Sequence, residues 1–298
     1  MEYKKVTGII VPLVTPFKHD GQINFVALDE LNDFLIHKGV HGLFPCGSTG
    51  EGAFLNNEER KAVALHTVHR ADSRIPVIVQ TGTIRPADAI ELTKHARDIG
   101  AAGAGLTPPY YFNMDNACIY EYYRSVAQSV PDFPIYLYNI PPNVKNVITP
   151  EVLARLMNDF PNVVGIKDSS GDFMNFINFQ QAAPKRLCAL MGNDAQIYSG
   201  LLIGASGAIA ATANPFPEVT VAIYNNWLRG DLAKALEAQD KIIKMRAILR
   251  SFTPIAPYKK ILEWQGLKVG IPRLPLRDLT LAEEVKLRDS INELGYTF

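Results

Sequence analysis

The sequence of 298 residues has few cysteines, no surplus of charge of either sign and no long apolar run. Its three cysteines, Cys46, Cys118 and Cys188, are too far apart for a CxxC metal site or a disulfide framework, and they are typical of a reducing compartment. Lys and Arg number 30, as do Asp and Glu, so the net charge is zero, which argues against a nucleic-acid partner.

Two apolar stretches are the candidates for a signal or membrane segment, and neither has the required pattern. Residues 6–17 are interrupted by Pro12 and Pro16 and lack a small-residue cleavage site. Residues 200–213 are shorter than the roughly 20 apolar residues that a membrane helix needs. We therefore expect a cytoplasmic protein that does not bind a membrane.

Eight apolar runs of strand length alternate with stretches of helical periodicity. The runs are residues 8–14, 42–46, 76–81, 104–107, 134–138, 163–167, 187–191 and 207–210. Strands that are apolar throughout are typical of parallel sheets covered by helices, and eight of them close a barrel, so the pattern predicts a (β/α)₈ TIM barrel. A doubly wound open sheet is the alternative, but the glycine-rich GxGxxG loop expected there is absent.

Local signals predict where several helices begin. Thr149 followed by Pro150, and Asn214 followed by Pro215, are typical of an N-cap and a first-turn proline. Thr280 and Glu283 have the spacing of a capping box. Because no strand pattern follows residue 214, we expect a barrel at residues 1–225 and a helical extension at residues 226–298 that packs on it.

Lys167 is the first candidate for chemistry, because reacting groups of such barrels lie at the carboxyl ends of strands. It ends the sixth apolar run, which places its amine at the mouth of a largely apolar interior. These surroundings disfavour the charged form, and the neutral amine is the form that attacks a ketone to give a Schiff base. The alternative is a structural lysine paired with Asp168 or another acid.

Two further strand ends carry polar groups. Tyr138 ends the fifth run, where a phenol can transfer protons as acid and base, although a core tyrosine with a satisfied hydroxyl is the alternative. Residues 47–50, of sequence GSTG, follow the second run and offer hydroxyls and backbone N–H groups to a carboxylate or phosphate. Many ordinary tight turns share that composition.

The sequence lacks the residue patterns that other catalytic chemistries require. His66 and His69 are spaced to share one helix face, but no third ligand accompanies them, so we predict no metal site. The sequence has neither the GxSxG motif of serine hydrolases nor a Walker phosphate loop.

Four strand-end motifs, in this order, resemble one family of enzymes. They are GSTGE at 47–51, PPYY at 108–111, YNIP at 138–141 and GIKD at 165–168. From about Gly8 to its C-terminus, the chain is similar to the pyruvate-dependent class I aldolases and lyases, the family that includes dihydrodipicolinate synthase and N-acetylneuraminate lyase. Any one motif is weak, but the four in sequence are specific.

The resemblance implies a catalytic role for four residues. Lys167 would form an imine with the keto carbon of pyruvate or of a 2-keto acid, and Tyr138 would relay protons. Ser48 would link Tyr138 to Tyr111, a residue that in this family reaches into the site of a neighbouring subunit. The resemblance also implies that no cofactor is needed and that the protein is a homotetramer, built as a dimer of dimers.

The resemblance further implies contacts to the pyruvate half of the substrate, from Thr49, the Gly47 backbone and Ile209. For the aldehyde half, Asn143 stands where the synthase subgroup has an arginine for aspartate semialdehyde, and Lys145 cannot replace its bidentate fork. Asp194-Ala195 and Ala210-Ala211 stand where sialic-acid lyases have an Asp-Glu pair and a serine.

We therefore predict a lyase that reversibly cleaves a 2-keto-3-deoxy or 4-hydroxy-2-oxo acid to pyruvate and an aldehyde. Asn143, Asp194 and Ser206 are the predicted contacts to the aldehyde half. The alternatives are 4-hydroxy-tetrahydrodipicolinate synthase, which condenses pyruvate with aspartate semialdehyde, and N-acetylneuraminate lyase. A barrel that binds a 2-keto acid without turning it over is disfavoured because all four strand-end motifs are present, and a phosphosugar isomerase is disfavoured because no catalytic glutamate is evident.

Overall fold

Eight parallel strands form the centre of the molecule in a computed structural model that describes residues 3–183 and 185–298. The strands are β1 (Gly8–Val11), β2 (Gly42–Leu43), β3 (Ile78–Gln80), β4 (Gly103–Leu106), β5 (Ile135–Asn139), β6 (Val163–Asp168), β7 (Cys188–Met191) and β8 (Gly207–Ile209). Their order is β2-β1-β8-β7-β6-β5-β4-β3, and a parallel bridge between Leu43 and Val77 joins the two edges. The predicted (β/α)₈ barrel is confirmed.

Helices follow every strand and cover the outside of the barrel. They are α1 (Phe25–His37), α2 (Asn57–Ala71), α3 (Pro86–Asp98), α4 (Asn116–Ser129), α5 (Pro141–Val144), α6 (Pro150–Asp159), α7 (Phe173–Ala182), α8 (Ile197–Leu202) and α9 (Pro217–Leu228). Three more helices form the C-terminal extension: α10 (Leu232–Leu249), α11 (Ala256–Trp264) and α12 (Leu281–Glu293). The boundary predicted at residue 225 lies within the last turn of α9. Among the described residues, no helix has the length and apolarity required to cross a membrane.

The capping signals predict two helix starts correctly and one incorrectly. Thr149 accepts the N–H of Val152 at the start of α6, and Thr280 forms its capping box with Glu283. Asn214 does not start a helix, because α9 begins at Pro217. Its side chain instead accepts the N–H of Val14 at 3.1 Å and donates to the Pro12 carbonyl at 2.9 Å, which ties the segments after β1 and β8 together.

Aromatic rings and glycines share the interior of the barrel. Phe44 and Tyr136 are buried there, and the neighbouring strand β4 presents Gly103 and Gly105. A Cβ atom on Gly105 would lie 2.6 Å from the Phe44 ring, and one on Gly103 would lie 2.9 Å from the Tyr136 ring. The small residues of β4 therefore leave the space that the rings fill, as the packed layers of such barrels require.

Candidate active site

Lys167 and Tyr138 lie side by side on neighbouring strands inside the barrel. They are direct partners in the register of β5 and β6. The Lys167 Nζ atom is 3.8 Å from the centroid of the Tyr138 ring and 4.7 Å from that of the Phe44 ring. Lys167 is 4% exposed and Tyr138 3% exposed, so the amine lies in a buried aromatic environment. Phe44 was not predicted as part of the site, although it follows β2 directly.

A bulge in β6 turns Lys167 toward Tyr138. Ile135 pairs with Val163, but the next residue of β5, Tyr136, pairs with Gly165, so Val164 is an extra residue in β6. Such an insertion changes the face toward which the following side chains point. Gly165 has no side chain to clash at this position, where a Cβ atom would lie 2.6 Å from the Tyr136 ring.

The Asp168 carboxylate is hydrogen-bonded to residues other than Lys167. Its carboxylate accepts from the Asn139 amide at 2.8 Å and from the Ser170 hydroxyl at 3.0 Å, and in the described part of the chain it does not pair with Lys167. Burial raises the pKa of Asp168 from its ordinary value, although these hydrogen bonds act in the opposite direction. The structural alternative for Lys167, an ion pair with Asp168, is therefore not observed.

The GSTG segment forms a tight turn after β2. The Gly52 N–H donates to the Gly47 carbonyl at 3.0 Å, and the Glu51 N–H donates to the Ser48 carbonyl at 3.2 Å. The Thr15 hydroxyl fastens the turn to the segment after β1 by donating to the Gly50 carbonyl at 2.7 Å. Gly47 is buried, Thr49 is half-buried and Ser48 is exposed, so the turn presents the predicted hydroxyl residues at the carboxyl end of the barrel.

Tyr111 projects away from the barrel instead of filling its own site. It is 74% exposed, its φ of 82° is in the left-handed region, and its ring makes an edge contact with Phe112 at 5.0 Å between centroids. Within residues 3–183 and 185–298, no hydrogen bond joins Ser48 to Tyr138 or to Tyr111. The link predicted through Ser48 is thus not formed within one chain.

The loop that carries Tyr111 is held by a buried amide that sequence reasoning missed. The Asn146 side chain donates to the Pro109 carbonyl at 2.7 Å and to the Phe112 carbonyl at 2.9 Å. It also accepts the Met114 N–H at 2.8 Å. No local pattern marks this residue, because its partners lie on a loop that follows a different strand.

Three of the predicted substrate contacts lie at or near the carboxyl end of the barrel. Ile209 is buried in the same interior cluster as Phe44 and Tyr138. Asn143 is exposed on α5, directly after β5. Asp194 follows β7 and is buried, and its carboxylate accepts the Thr212 N–H at 2.8 Å, so it also fixes the segment after β8.

Ser206 lies at the opposite end of the barrel, and this position does not support its predicted role at the aldehyde half of the substrate. It precedes β8: its N–H donates to the Ala189 carbonyl at 2.8 Å, and its own carbonyl accepts the Gly8 N–H at 3.1 Å. The three residues of β8 separate it from the mouth by about 10 Å, since each strand residue advances by about 3.3 Å.

Two large cavities open at the amino end of the barrel. One, of about 890 Å³, is lined by Lys5, His41 and Pro76 among others, and the second, of about 820 Å³, by Lys185 and Arg186 among others. None of the four strand-end motifs lines either cavity. Because reacting groups of such barrels lie at the carboxyl ends of the strands, we place the site around Lys167 and not in these cavities.

The two histidines considered as metal ligands lie on α2, away from the barrel interior. The His66 ring stacks on Phe25 with 4.2 Å between centroids, and its Nδ1 atom is 3.6 Å from an Asp29 carboxylate oxygen. In the part of the chain that the structure describes, no three His, Cys, Asp or Glu side chains are grouped as metal ligands.

Comparison with known proteins gives consistent matches along the whole chain. The family model of the dihydrodipicolinate synthetase family matches residues 5–294. The chain is 36% identical over 290 residues to 4-hydroxy-tetrahydrodipicolinate synthase of Methanothrix thermoacetophila, with 97% of each chain covered. It is also 36% identical over 272 residues to "Probable 2-dehydro-3-deoxy-D-pentonate aldolase YjhH" of Escherichia coli (strain K12), which covers 90% of this chain and 89% of that protein.

Solved structures match equally well. YagE, a prophage protein of the dihydrodipicolinic acid synthase family from E. coli K12 in complex with pyruvate, has a TM-score of 0.94 and 32% identity, with 98% of this chain and 99% of that chain covered. Dihydrodipicolinate synthase from Aquifex aeolicus has a TM-score of 0.92 and 31% identity, with 97% and 98% covered.

Proposed function

The chain belongs to the dihydrodipicolinate synthetase family, and from this membership we propose that Lys167 forms a Schiff base with the keto carbon of pyruvate or of a 2-keto acid. The enzyme is a pyruvate-dependent lyase of the class I aldolase type. One observation carries the assignment of the nucleophile: the Lys167 amine is buried in the barrel 3.8 Å from the Tyr138 ring centroid.

The chemistry follows from the imine. The amine adds to the keto carbon and water leaves, and the protonated imine then accepts an electron pair from the substrate. When the bond between C3 and C4 of a 4-hydroxy-2-oxo acid breaks, that pair forms an enamine, and the 4-hydroxyl loses its proton as the aldehyde departs. Protonation of the enamine at C3 and hydrolysis release pyruvate and free Lys167.

Tyr138 is the proton carrier in this proposal. Support comes from its position beside Lys167 on the adjacent strand, since a phenol near the imine can exchange protons with the nitrogen and with the substrate carbon. The substrate carboxylate binds at the turn of residues 47–50, where Thr49 and the Gly47 backbone are the proposed contacts, and Ile209 lines the pyruvate side.

We propose that the substrate is a 2-keto-3-deoxy or 4-hydroxy-2-oxo acid. Support comes from Asn143, an exposed amide at the position of the arginine expected in the synthase subgroup, and from the pentonate aldolase name of one relative. Asn143 and Asp194 are the proposed contacts to the aldehyde half. Synthesis of 4-hydroxy-tetrahydrodipicolinate is the second candidate, because several relatives carry that name.

A substrate panel tests the choice. Pyruvate release or consumption would be followed with 2-keto-3-deoxygluconate, 4-hydroxy-2-oxoglutarate, N-acetylneuraminate, and aspartate semialdehyde plus pyruvate. We expect pyruvate release from a keto-deoxy or hydroxy-oxo acid. Efficient consumption of pyruvate only with aspartate semialdehyde would contradict the substrate assignment and favour the synthase, leaving the lysine chemistry intact.

We further propose that the protein works as a cytoplasmic homotetramer in which Tyr111 completes the site of a neighbouring subunit. The support is that Tyr111 and Phe112 are 74% and 64% exposed, and that Tyr111 is held outward in a left-handed conformation. An exposed aromatic pair of this kind is typical of a surface that a partner covers.

A further inference from the structure

A fully buried ion pair connects the C-terminal extension to the GSTG turn. Lys259 of α11 lies 2.7 Å from Glu51, the last residue of the GSTGE motif, and the two side chains are 1% and 0% exposed. The Lys259 ammonium also donates to the Ile271 carbonyl at 3.0 Å. Nothing in the proposed reaction uses either residue.

Such a pair is costly to bury. Removing two charges from water is unfavourable for each ion, and apolar replacements of similar volume are often as stable or more stable. Burial disfavours the charged form of Lys259 and lowers its pKa to about 8, even though Glu51 acts in the opposite direction. A buried pair is therefore weak evidence for stability and better evidence for a fixed geometry.

Glu51 has a backbone conformation that needs support. Its φ is 55°, in the left-handed region, which is unfavourable for a residue with a side chain. Both carboxylate oxygens are held from the C-terminal side: Oε1 by Lys259, and Oε2 by the Arg273 backbone N–H at 2.7 Å. The extension thus fixes the residue that ends the turn.

The surrounding contacts make this connection rigid. The Arg273 guanidinium donates two hydrogen bonds to the Glu59 carboxylate, at 2.8 and 2.9 Å. The Lys259 ammonium and the Arg273 guanidinium each lie 4.4 Å from the centroid of the Phe17 ring. The extension therefore contacts the segments after both β1 and β2, next to the turn of residues 47–50.

We propose that Glu51 and Lys259 are positioning residues for the carboxylate-binding turn. Their ion pair holds the end of the turn so that the backbone N–H groups and Thr49 face the substrate carboxylate. This inference rests on the proposed function, because it assigns the turn to the carboxylate of pyruvate. It predicts an effect on substrate affinity with little effect on the reaction at Lys167, which lies on a different strand.

The test is the pyruvate dependence of borohydride trapping in the Glu51→Gln and Lys259→Met variants. The fraction of chain that gains the reduced adduct would be measured against pyruvate concentration. We expect the half-saturating concentration to rise about tenfold, equivalent to about 1.4 kcal/mol. The trapping rate at saturating pyruvate should stay within about twofold of wild type, because the lost interaction is to the bound carboxylate.

Two further variants separate positioning from general loosening. Lys260→Met removes the neighbouring lysine, which pairs with Glu263 and Glu284 and not with the turn, and it should keep the wild-type half-saturating concentration. The double variant Glu51→Gln/Lys259→Met leaves no unpaired buried charge, so it provides a folded protein even if a single variant does not fold. It should show the same rise as the single variants.

The outcomes are distinct. A folded double variant with wild-type half-saturation overturns the inference, as does a Lys260→Met variant whose affinity falls as far as that of Lys259→Met. Absence of any Lys167 adduct in the wild-type protein instead refutes the proposed function, and the inference with it.

Discussion

Lys167 and Asp168 are neighbours in the sequence, yet they have separate environments. The carboxylate of Asp168 is bound by Asn139 and Ser170, whereas the amine of Lys167 lies beside the rings of Tyr138 and Phe44. Strand geometry accounts for this separation, because successive side chains point to opposite faces. The chemistry of the site depends on which of the two faces the interior.

Replacing Tyr138 by phenylalanine tests the proton carrier. The ring can keep its edge contact with Phe44, whose centroid is 5.9 Å away, so the fold should be retained. Turnover should fall by about 10²–10⁴-fold, the usual contribution of general acid–base catalysis. Tyr136→Phe, a buried tyrosine two positions earlier on β5, is the matched control and should keep wild-type turnover. Unchanged turnover in Tyr138→Phe would remove the phenol from the mechanism.

The stability contribution of Lys259 should depend on pH in a defined direction. Burial lowers its pKa to about 8 from the ordinary 10.5, against the effect of Glu51, while Arg273 lowers it further and Asp278 raises it. Between these values the unfolded chain holds more protons at this position than the folded chain, so the free energy of unfolding rises with pH.

Denaturant unfolding of wild type and Lys259→Met measures this effect. The difference in unfolding free energy, wild type minus variant, should be larger near pH 10 than near pH 7.5. A difference that stays constant or decreases over this range would show that Lys259 is not held with a lowered pKa.

At the scale of elements, the strands were predictable and the loops between them were not. All eight strands fall within or close to the predicted runs, because apolar strand patterns are local. Asn146 was missed and Asn214 was wrongly predicted as an N-cap, because their side chains bind backbone groups far away in the sequence. The bulge in β6 could not be predicted from the sequence either, because it is defined by how β6 pairs with β5.

The loop held by Asn146 gives a prediction at this scale. Asn146→Ala would leave the Pro109 and Phe112 carbonyls and the Met114 N–H without this partner. The free energy of unfolding should fall by roughly 1–3 kcal/mol, the cost of leaving buried polar groups unpaired. Asn143→Ala, an exposed amide nearby, should change it by less than about 0.5 kcal/mol. Equal urea midpoints for the two variants would contradict this role.

For the whole molecule, the barrel was predictable and the contacts of its extension were not. Alternating strands and helices indicate the fold, and the order of the strand-end motifs indicates the end that carries the site. Ser206 precedes β8, at the end of the strand away from the mouth, and the sequence does not show at which residue of an apolar run the strand begins. The pairing of Lys259 with Glu51 joins residues that are far apart in the sequence, and no spacing rule predicts it.

Mixing two variants tests the proposed sharing of sites between subunits. Lys167→Ala lacks the nucleophile and Tyr111→Phe lacks the donated hydroxyl, so each oligomer alone should be nearly inactive. In a symmetric dimer with one chain of each variant, one of the two sites has both Lys167 and Tyr111. Random mixing after joint refolding makes about half of the dimers mixed, so about a quarter of wild-type activity should return. No recovery in a preparation shown to contain mixed oligomers would contradict donation of Tyr111.

The most direct test of the mechanism is reduction of the enzyme with borohydride in the presence of pyruvate, followed by peptide mass mapping. We predict one reduced pyruvate adduct per chain, located on Lys167 and absent from the folded Lys167→Ala variant. An unmodified Lys167 under conditions that trap a control aldolase, or an adduct on another lysine, would contradict the account.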